Sequence, residues 1–405
     1  MLDESFIIEC ENELKDSFKE IDKLAYLNSK KVMDAFHKNR ISESDLNGTT
    51  GYGYNDSGRD KIDQIFADIF GAEKGLVRNQ FISGSHAINI CLFALLRPND
   101  TLLTISGTPY DTLHEVIGIK SNDSSLMSFG IKYKEIDLIN NDFDYKKIEK
   151  NLKDVKVVHI QRSRGYSLRE SLDIDKIEKV IKFIKNINKE IIIFVDNCYC
   201  EFVEDKSPIE VGADICVGSL IKNLGAGIAT NGAYIVGREN LINLCGERLT
   251  LPGEGINVGP SELANRKFLQ GIYFAPSVVA SALKTALLTS KAFEKLGYKV
   301  SPSSSDKRAD IVDVIYFKNK DELIKYAKGI QNAGAIDSYV TPIPGPMPGY
   351  DNEIIMASPS FTQGSSIELS CDGPLKEPYV LFQQGSLTYD YGKLSLLNAL
   401  NMLNE

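Results

Sequence analysis

Residues 191–196 read IIIFVD, and residues 214–237 read DICVGSLIKNLGAGIATNGAYIVG. Ile191 to Val195 are all apolar, and the run closes on Asp196. Such a run has the length of a strand buried on both faces, and it delivers its last residue to the rim of a sheet. DICVG (214–218) and AYIVG (233–237) have the same character. Between them Lys222 stands alone as a cation among small and apolar residues. A lysine that only solubilises a surface has no need of such neighbours.

The same alternation extends outward. LLTIS (102–106) and VVHIQ (157–161) read as further buried strands, and the segment near 173–187 reads as an amphipathic helix. Strands alternating with helices predict an α/β fold with a mostly parallel sheet covered on both faces. Apolar residues at helical spacing from Glu11 to Phe36 predict an N-terminal helix or helix pair. Ile62 to Phe70 predict a second helix, closed by Gly71 as a left-handed cap. A long helical pattern runs from about Pro276 to Leu296. Beyond it, IVDVIYF, a helix over Asp321–Asn332, SIELS, YVLFQQ and a last helix over Asp390–Leu403 predict a smaller α+β unit. The expected organisation is a helical arm at 1–55, a large domain at 56–285 and a small C-terminal domain at 286–405.

Composition removes several function classes. With 46 basic and 55 acidic residues the formal net charge is −9, which offers no general attraction to nucleic acid or anionic lipid. The N-terminus MLDESFIIECENELKDSF has acids where a secretory signal needs a basic start, and no run is expected to span a bilayer. The seven scattered cysteines suit a reducing cytoplasm rather than a disulfide framework. Histidines 37, 86, 114 and 159 form no pair at metal-ligand spacing, so no metal site is expected.

Three features at strand ends carry chemistry. The segment FISGSHAINI (81–90) reads as a strand turning through Ser83-Gly84-Ser85-His86 into a helix, whose first amides and dipole favour an anion such as phosphate. Asp196 ends one strand, and Lys222 follows another. Alone, each is as easily a helix cap, a turn aspartate or a surface lysine. Together they are the parts of a pyridoxal 5′-phosphate site: an amine for the aldehyde, an acid for the pyridine nitrogen and a cradle for the phosphate. Ser219 offers the phosphate a hydroxyl, and Tyr110, just past LLTIS, offers the ring a stacking face. Gly225, Ala226 and Gly227 leave room for a ring, and apolar surroundings predict a lowered lysine pKa. RSRGYSLR (162–169) places Arg162 or Arg164 where a guanidinium can hold a substrate carboxylate or the cofactor's phenolate oxygen. The proline-rich turn PIPGPMPGYD (342–351) is expected beside the entrance.

SGSHAI, SGTPYDTL, IQRSRGYSLRES, FVDNCYCEF, GSLIKNLGAGIATNGAYIVG and IELSCDGPLKEPYVLFQQGSLTY together resemble one group of fold-type I pyridoxal-phosphate enzymes. The group is that of methionine γ-lyase, cystathionine β-lyase and the proteins called aluminium resistance proteins, and the resemblance covers nearly the whole chain. It implies the aspartate aminotransferase fold, with a mostly parallel seven-stranded sheet, a smaller C-terminal domain and active sites shared within a homodimer or homotetramer. Carried over by position, it implies Lys222 as the Schiff-base lysine, Asp196 as the pyridinium partner and Tyr110 as the stacking aromatic. Gly84, Ser85 and Ser219 become phosphate ligands, joined by the amide of His86. Tyr54 and Arg59 of GYGYNDSGRD stand where related lyases send a tyrosine and an arginine into the neighbouring subunit's site. SLIKN departs from the serine-x-threonine-lysine sequence of the sulfur lyases.

The implied reaction is carbon–sulfur bond cleavage in a sulfur amino acid by β- or γ-elimination, giving a thiol, ammonia and a 2-oxo acid. Two rival readings stand beside it: aldol cleavage or transamination on the same fold, and a non-enzymatic protein that binds aluminium.

Overall fold

The computed structural model describes residues 2–346 and 352–404; the second half of the proline-rich turn, 347–351, lies outside them. Strands β1 (Lys74–Arg78), β2 (Thr101–Thr104), β3 (Lys132–Glu135), β4 (Val155–Gln161), β5 (Ile192–Asp196), β6 (Ile215–Ser219) and β7 (Ala233–Gly237) form one sheet. Its order is β1-β7-β6-β5-β4-β2-β3. Neighbours from β6 to β3 are parallel, whereas β7 runs antiparallel to both β6 and β1. The expected mostly parallel sheet is therefore present, with one reversed strand. The reversal follows from the connection: the chain between β6 and β7 carries only a three-residue turn, Asn223–Gly225, and not the crossover helix that a parallel return needs.

Helices cover both faces. They are α1 (Glu4–Lys38), α2 (Ser57–Phe70), α3 (Gly84–Leu95), the short α4 (His114–Ile117), α5 (Tyr145–Asn151), α6 (Ile174–Ile187) and α7 (Glu239–Leu249). Side chains alternate across the strands. Phe194, Val217 and Ile235 meet α3 and α7 on one face. Ile193 and Val195 meet α5 and α6 on the other, and Cys216, Tyr234 and Val236 meet α2 there. Burial on both faces is why β5, β6 and β7 read as unbroken apolar runs. Gly71, at φ 69°, caps α2 in the left-handed region as expected.

A second sheet is wholly antiparallel. Strands β8 (Lys299–Ser301), β9 (Val312–Tyr316), β10 (Ile354–Ala357), β11 (Ser370–Pro374) and β12 (Val380–Gln384) lie in the order β10-β11-β12-β9-β8. It is packed by α9 (Lys320–Ala333), α10 (Tyr389–Asn404) and the end of α8 (Ala264–Lys295). SIELS is not the strand itself. Ile367 is buried in an irregular stretch, the Glu368 carboxylate accepts from the amides of Phe361 and Thr362, and pairing begins only at Ser370.

Helix α8 ties the two sheets together, and α1 lies antiparallel along it. Ion pairs Lys284–Asp22 (2.6 Å), Lys291–Glu13 (3.3 Å) and Lys295–Glu9 (2.6 Å) mark the register. These exposed pairs add little energy; the buried side chains carry the contact. Phe268 and Ile272 of α8 pack with Val32 and Ala35 of α1 near the first sheet, while Leu288 and Phe293 pack with Ile7 and Leu14 near the second. The division at 55 and 285 stays a proposal; α8 runs unbroken across the second boundary. Against the expectation of no spanning run, one 18-residue stretch of α8 has the length and a mean hydropathy of 1.4 that a membrane helix needs. That stretch is 72% buried inside the protein, which marks a core helix.

Phe293 packs edge-on against Tyr298, Phe317 and Tyr326 with no solvent exposure. Phe293→Ala is expected to cost about 3–5 kcal/mol, measured as a lower urea midpoint at unchanged slope.

Candidate active site

Beyond the carboxyl ends of β4, β5 and β6 lies a cavity of about 240 Å³, closed on its far side by residues of the second sheet. Gly84, Ser85, Tyr110, Asp196, Ser219 and Lys222 all line it. Six residues that the sequence scatters over 139 positions thus share one wall.

Each is placed by a local cause. Ser83 is the N-cap of α3: its Oγ accepts from the His86 amide at 3.1 Å and its carbonyl from Ala87 at 3.2 Å. The Gly84 and Ser85 amides precede these first helical bonds. The leading strand is β1, ending at Arg78; a turn at 79–80 follows, and 81–83 is irregular rather than the expected strand. A Cβ on Gly84 would come within 3.1 Å of the Ser219 Cβ and 3.5 Å of the Cys198 Sγ, so the glycine lets the start of α3 sit against the end of β6. Lys222 precedes the turn Asn223–Gly225. A Cβ on Gly225 would lie 1.6 Å from the Leu220 carbonyl oxygen, so only glycine permits this tight return. Tyr110 is anchored through its amide, which donates to Gln161 Oε1 at 2.9 Å.

The electrostatics differ from the sequence expectation at Lys222. Its Nζ stands 3.9 Å from the centroid of the Tyr199 ring, a cation–π contact. Burial pushes the ammonium down, as expected, but the surrounding acidic groups Cys198, Tyr199, Asp196 and Glu201 outweigh it and hold the amine above its ordinary range. The cause is spatial: the end of β5 and the loop after it bring Cys198, Tyr199, Asp196 and Glu201 to a lysine whose sequence neighbours are all uncharged.

Sequence reasoning passed over several other residues here. Glu201 is 2% exposed, its Oε1 accepts from the Tyr234 hydroxyl at 2.9 Å, and burial pushes its carboxyl up to about 8. His159 on β4 pairs in register with Phe194 of β5, two residues before Asp196; burial drives it down to about 4 against the pull of Asp196. Asp372, from β11, accepts from the Tyr166 hydroxyl at 2.9 Å, and burial pushes it up to about 6. The second acid of FVDNCYCEFV, set between Cys200 and Phe202, was the available signal for Glu201. Asp372 had none, because it reaches the site from the second sheet.

Other expected residues sit elsewhere. Arg162 is 1% exposed; its guanidinium donates to Asn197 Oδ1 at 2.6 Å and pairs with Glu204, away from the cavity. Arg164 is equally buried, donates to Ser301 Oγ and its carbonyl at 3.2 Å, and borders a larger groove of about 1320 Å³. That groove shares Tyr110, Gln161, Tyr166 and Asp372 with the cavity. Arg59 turns inward, donating to the carbonyls of Gly53 (2.7 Å) and Gly259 (3.0 Å), while Tyr54 is exposed and stacked on Tyr52 at 5.3 Å. The His86 amide is occupied by Ser83, and its Nδ1 accepts from the Ile82 amide at 3.3 Å. No group of three or more His, Cys, Asp or Glu among the described residues is arranged to hold a metal ion.

Comparison with known proteins places this geometry in a family. The methionine gamma-lyase family matches residues 3–404. A Listeria monocytogenes protein, named as a candidate cystathionine beta-lyase involved in aluminium resistance, is 44% identical with a TM-score of 0.98, over 99% of this chain and 100% of its own. A carbon-sulfur lyase involved in aluminium resistance from Clostridium novyi NT is 44% identical with a TM-score of 0.94, over 98% and 94% of the two chains. The uncharacterised protein YnbB of Bacillus subtilis (strain 168) is 44% identical over 403 residues, 98% of this chain and 96% of its own. The sheet and layers are those of fold-type I pyridoxal-phosphate enzymes. Matched from residue 3 to residue 404, the chain belongs to the methionine gamma-lyase family.

Proposed function

We propose that the protein is a pyridoxal-phosphate-dependent carbon–sulfur lyase acting on a sulfur amino acid of the cystathionine or methionine type. One observation carries the reading: a lysine amine, a strand-end carboxylate and the N-terminus of a helix converge on a single cavity. The cradle fits the cofactor, because the absent Cβ of Gly84 leaves the start of α3 open beside Ser219. The amides of Gly84 and Ser85 and the Ser219 hydroxyl would hold the phosphate, Asp196 the pyridine nitrogen, Tyr110 the ring face and Lys222 the aldehyde. When bound, the cofactor supplies an electron-accepting ring that stabilises negative charge at the substrate Cα.

The chain's own groups do the rest. Lys222 Nζ takes the Cα proton, and in γ-elimination a second one from Cβ. The Tyr110 hydroxyl gives a proton to the leaving sulfur. Arg164 is the better anchor for the substrate carboxylate, since Arg162 is committed to Glu204 while Nε of Arg164 has no partner. The thiol and an enamine leave, and one water hydrolyses the enamine, as its imine, to ammonia and a 2-oxo acid. We further propose assembly as a homodimer or homotetramer in the reducing cytoplasm, with the exposed Tyr54 entering a neighbouring copy's site. All seven cysteines are free and buried, which suits that compartment.

Purified protein is expected to show a visible cofactor band that Lys222→Ala abolishes. Thiol release from cystathionine or methionine is expected to fall about 100-fold or more in that variant. Aldehyde from threonine with no thiol from any sulfur amino acid would overturn the lyase reading. Arg164→Lys, which loses the planar fork, is expected to raise KM about tenfold with little change in kcat, read from initial rates. Tyr54→Ala and Lys222→Ala are each expected to be inactive alone, yet mixed subunits regain activity, because one shared site in a hybrid dimer escapes both changes. No recovery on mixing would mean that the sites are not shared through Tyr54.

A further inference from the structure

We infer that Glu201, which no step above uses, is a positioning residue that sets the charge of the Lys222 amine. Three features of the packing build this arrangement. First, the loop after β5 is bent inward by two non-glycine residues in the left-handed region, Tyr199 at φ 71° and Phe202 at φ 61°. That bend puts the Tyr199 ring under Lys222 Nζ and the Glu201 side chain inside the protein. Second, Asn223, the residue after Lys222, donates from Nδ2 to the Glu201 carbonyl at 2.9 Å, tying the lysine turn to the glutamate loop. Third, room for the carboxyl is provided on β6. A Cβ on Gly218 would lie 2.3 Å from Glu201 Oε1 and 2.5 Å from the Tyr234 hydroxyl oxygen.

The carboxyl is held but not satisfied. Oε1 accepts from Tyr234, whose ring is fixed by Phe70 at 5.1 Å and Phe66 at 5.6 Å. Oε2 is buried without a hydrogen-bond partner. An unpaired carboxylate oxygen in such a place is costly, so the group keeps its proton to about pH 8. The groups that face it are Asp196, Cys198 and Cys200 from its own loop, Cys216 and Lys222 from β6 and beyond, Tyr234 from β7 and Arg162 after β4.

The sign of the effect follows. Below about pH 8 Glu201 is neutral and leaves Lys222 to burial and the other groups. Above it, the new negative charge favours the ammonium and holds back release of the amine's proton. A protonated Glu201 is therefore the state in which the amine is easier to free.

This goes beyond the lyase reading and is measurable without it. The full-length, cofactor-free chain is treated with acetic anhydride over a range of pH, and acetylation of Lys222 is followed by mass spectrometry. Parent and Glu201→Gln are expected to coincide below about pH 8 and to diverge above it, the variant reacting about tenfold faster, one pKa unit. Parallel profiles over the whole range, or a slower variant above pH 8, would overturn the inference. Tyr234→Phe serves as a second variant. Losing the hydrogen bond to the ionised carboxylate raises the Glu201 pKa, so the break in the profile is expected at higher pH. An unmoved break overturns the part assigned to the Glu201–Tyr234 pair. A merely structural role for Glu201 would change stability without moving the break.

Discussion

A lysine amine at the end of a buried sheet has to be met by something other than water. Here it is met by the face of Tyr199 and by the field of Asp196, with the Glu201 carboxyl beside them, all delivered by the end of β5 and the loop that follows it. This electrostatic arrangement is the constraint on which the site depends. It requires β5 and β6 to lie side by side, so that the acid closing one and the lysine following the other face the same space. It also requires the Lys222 turn to close tightly, which Gly225 permits by its approach to the Leu220 carbonyl.

The rest of the molecule holds that rim in place. The first sheet is buried on both faces, so its strands cannot shift register without exposing an apolar face. Helix α8 backs the lysine turn, with Gly271 close against the Gly225 backbone, and then continues to the second sheet. Because α1 is packed along the whole of α8, the second sheet's contribution to the site, Asp372 among it, is carried on the same frame as Lys222. The open groove beside the cavity is bordered by Arg164 and the Tyr166–Asp372 pair, so residues of both sheets line it.

Much of this was legible in the chain. Continuous apolar runs identified β4, β5, β6, β7, β9 and β12 because a strand covered on both faces has no polar side to show. Asp196, Lys222 and the Ser83–His86 turn stood out because polar groups at the ends of such runs are few. Strand direction was not legible: β7 reads like β6, and only the short connection reverses it. The edge strand β3, with the sequence KYKE and only Tyr133 partly buried, lacks an apolar pattern of its own and was missed. SIELS has strand composition, yet its acid is used to hold a loop.

The sequence by itself determined the layered α/β architecture and the identity of the groups that reach the sheet's rim, since both follow from where apolar runs begin and end. Only the tertiary structure decided what those groups face. Arg162 and Arg164 are two residues apart, but one is locked into a buried pair with Glu204 and the other borders the groove. Lys222 has uncharged neighbours in the chain and acidic ones in space, so its charge is governed by contacts that sequence spacing does not encode. Burial and field act through distance and dielectric, and both are set when the loops after β5 and β6 close on one another.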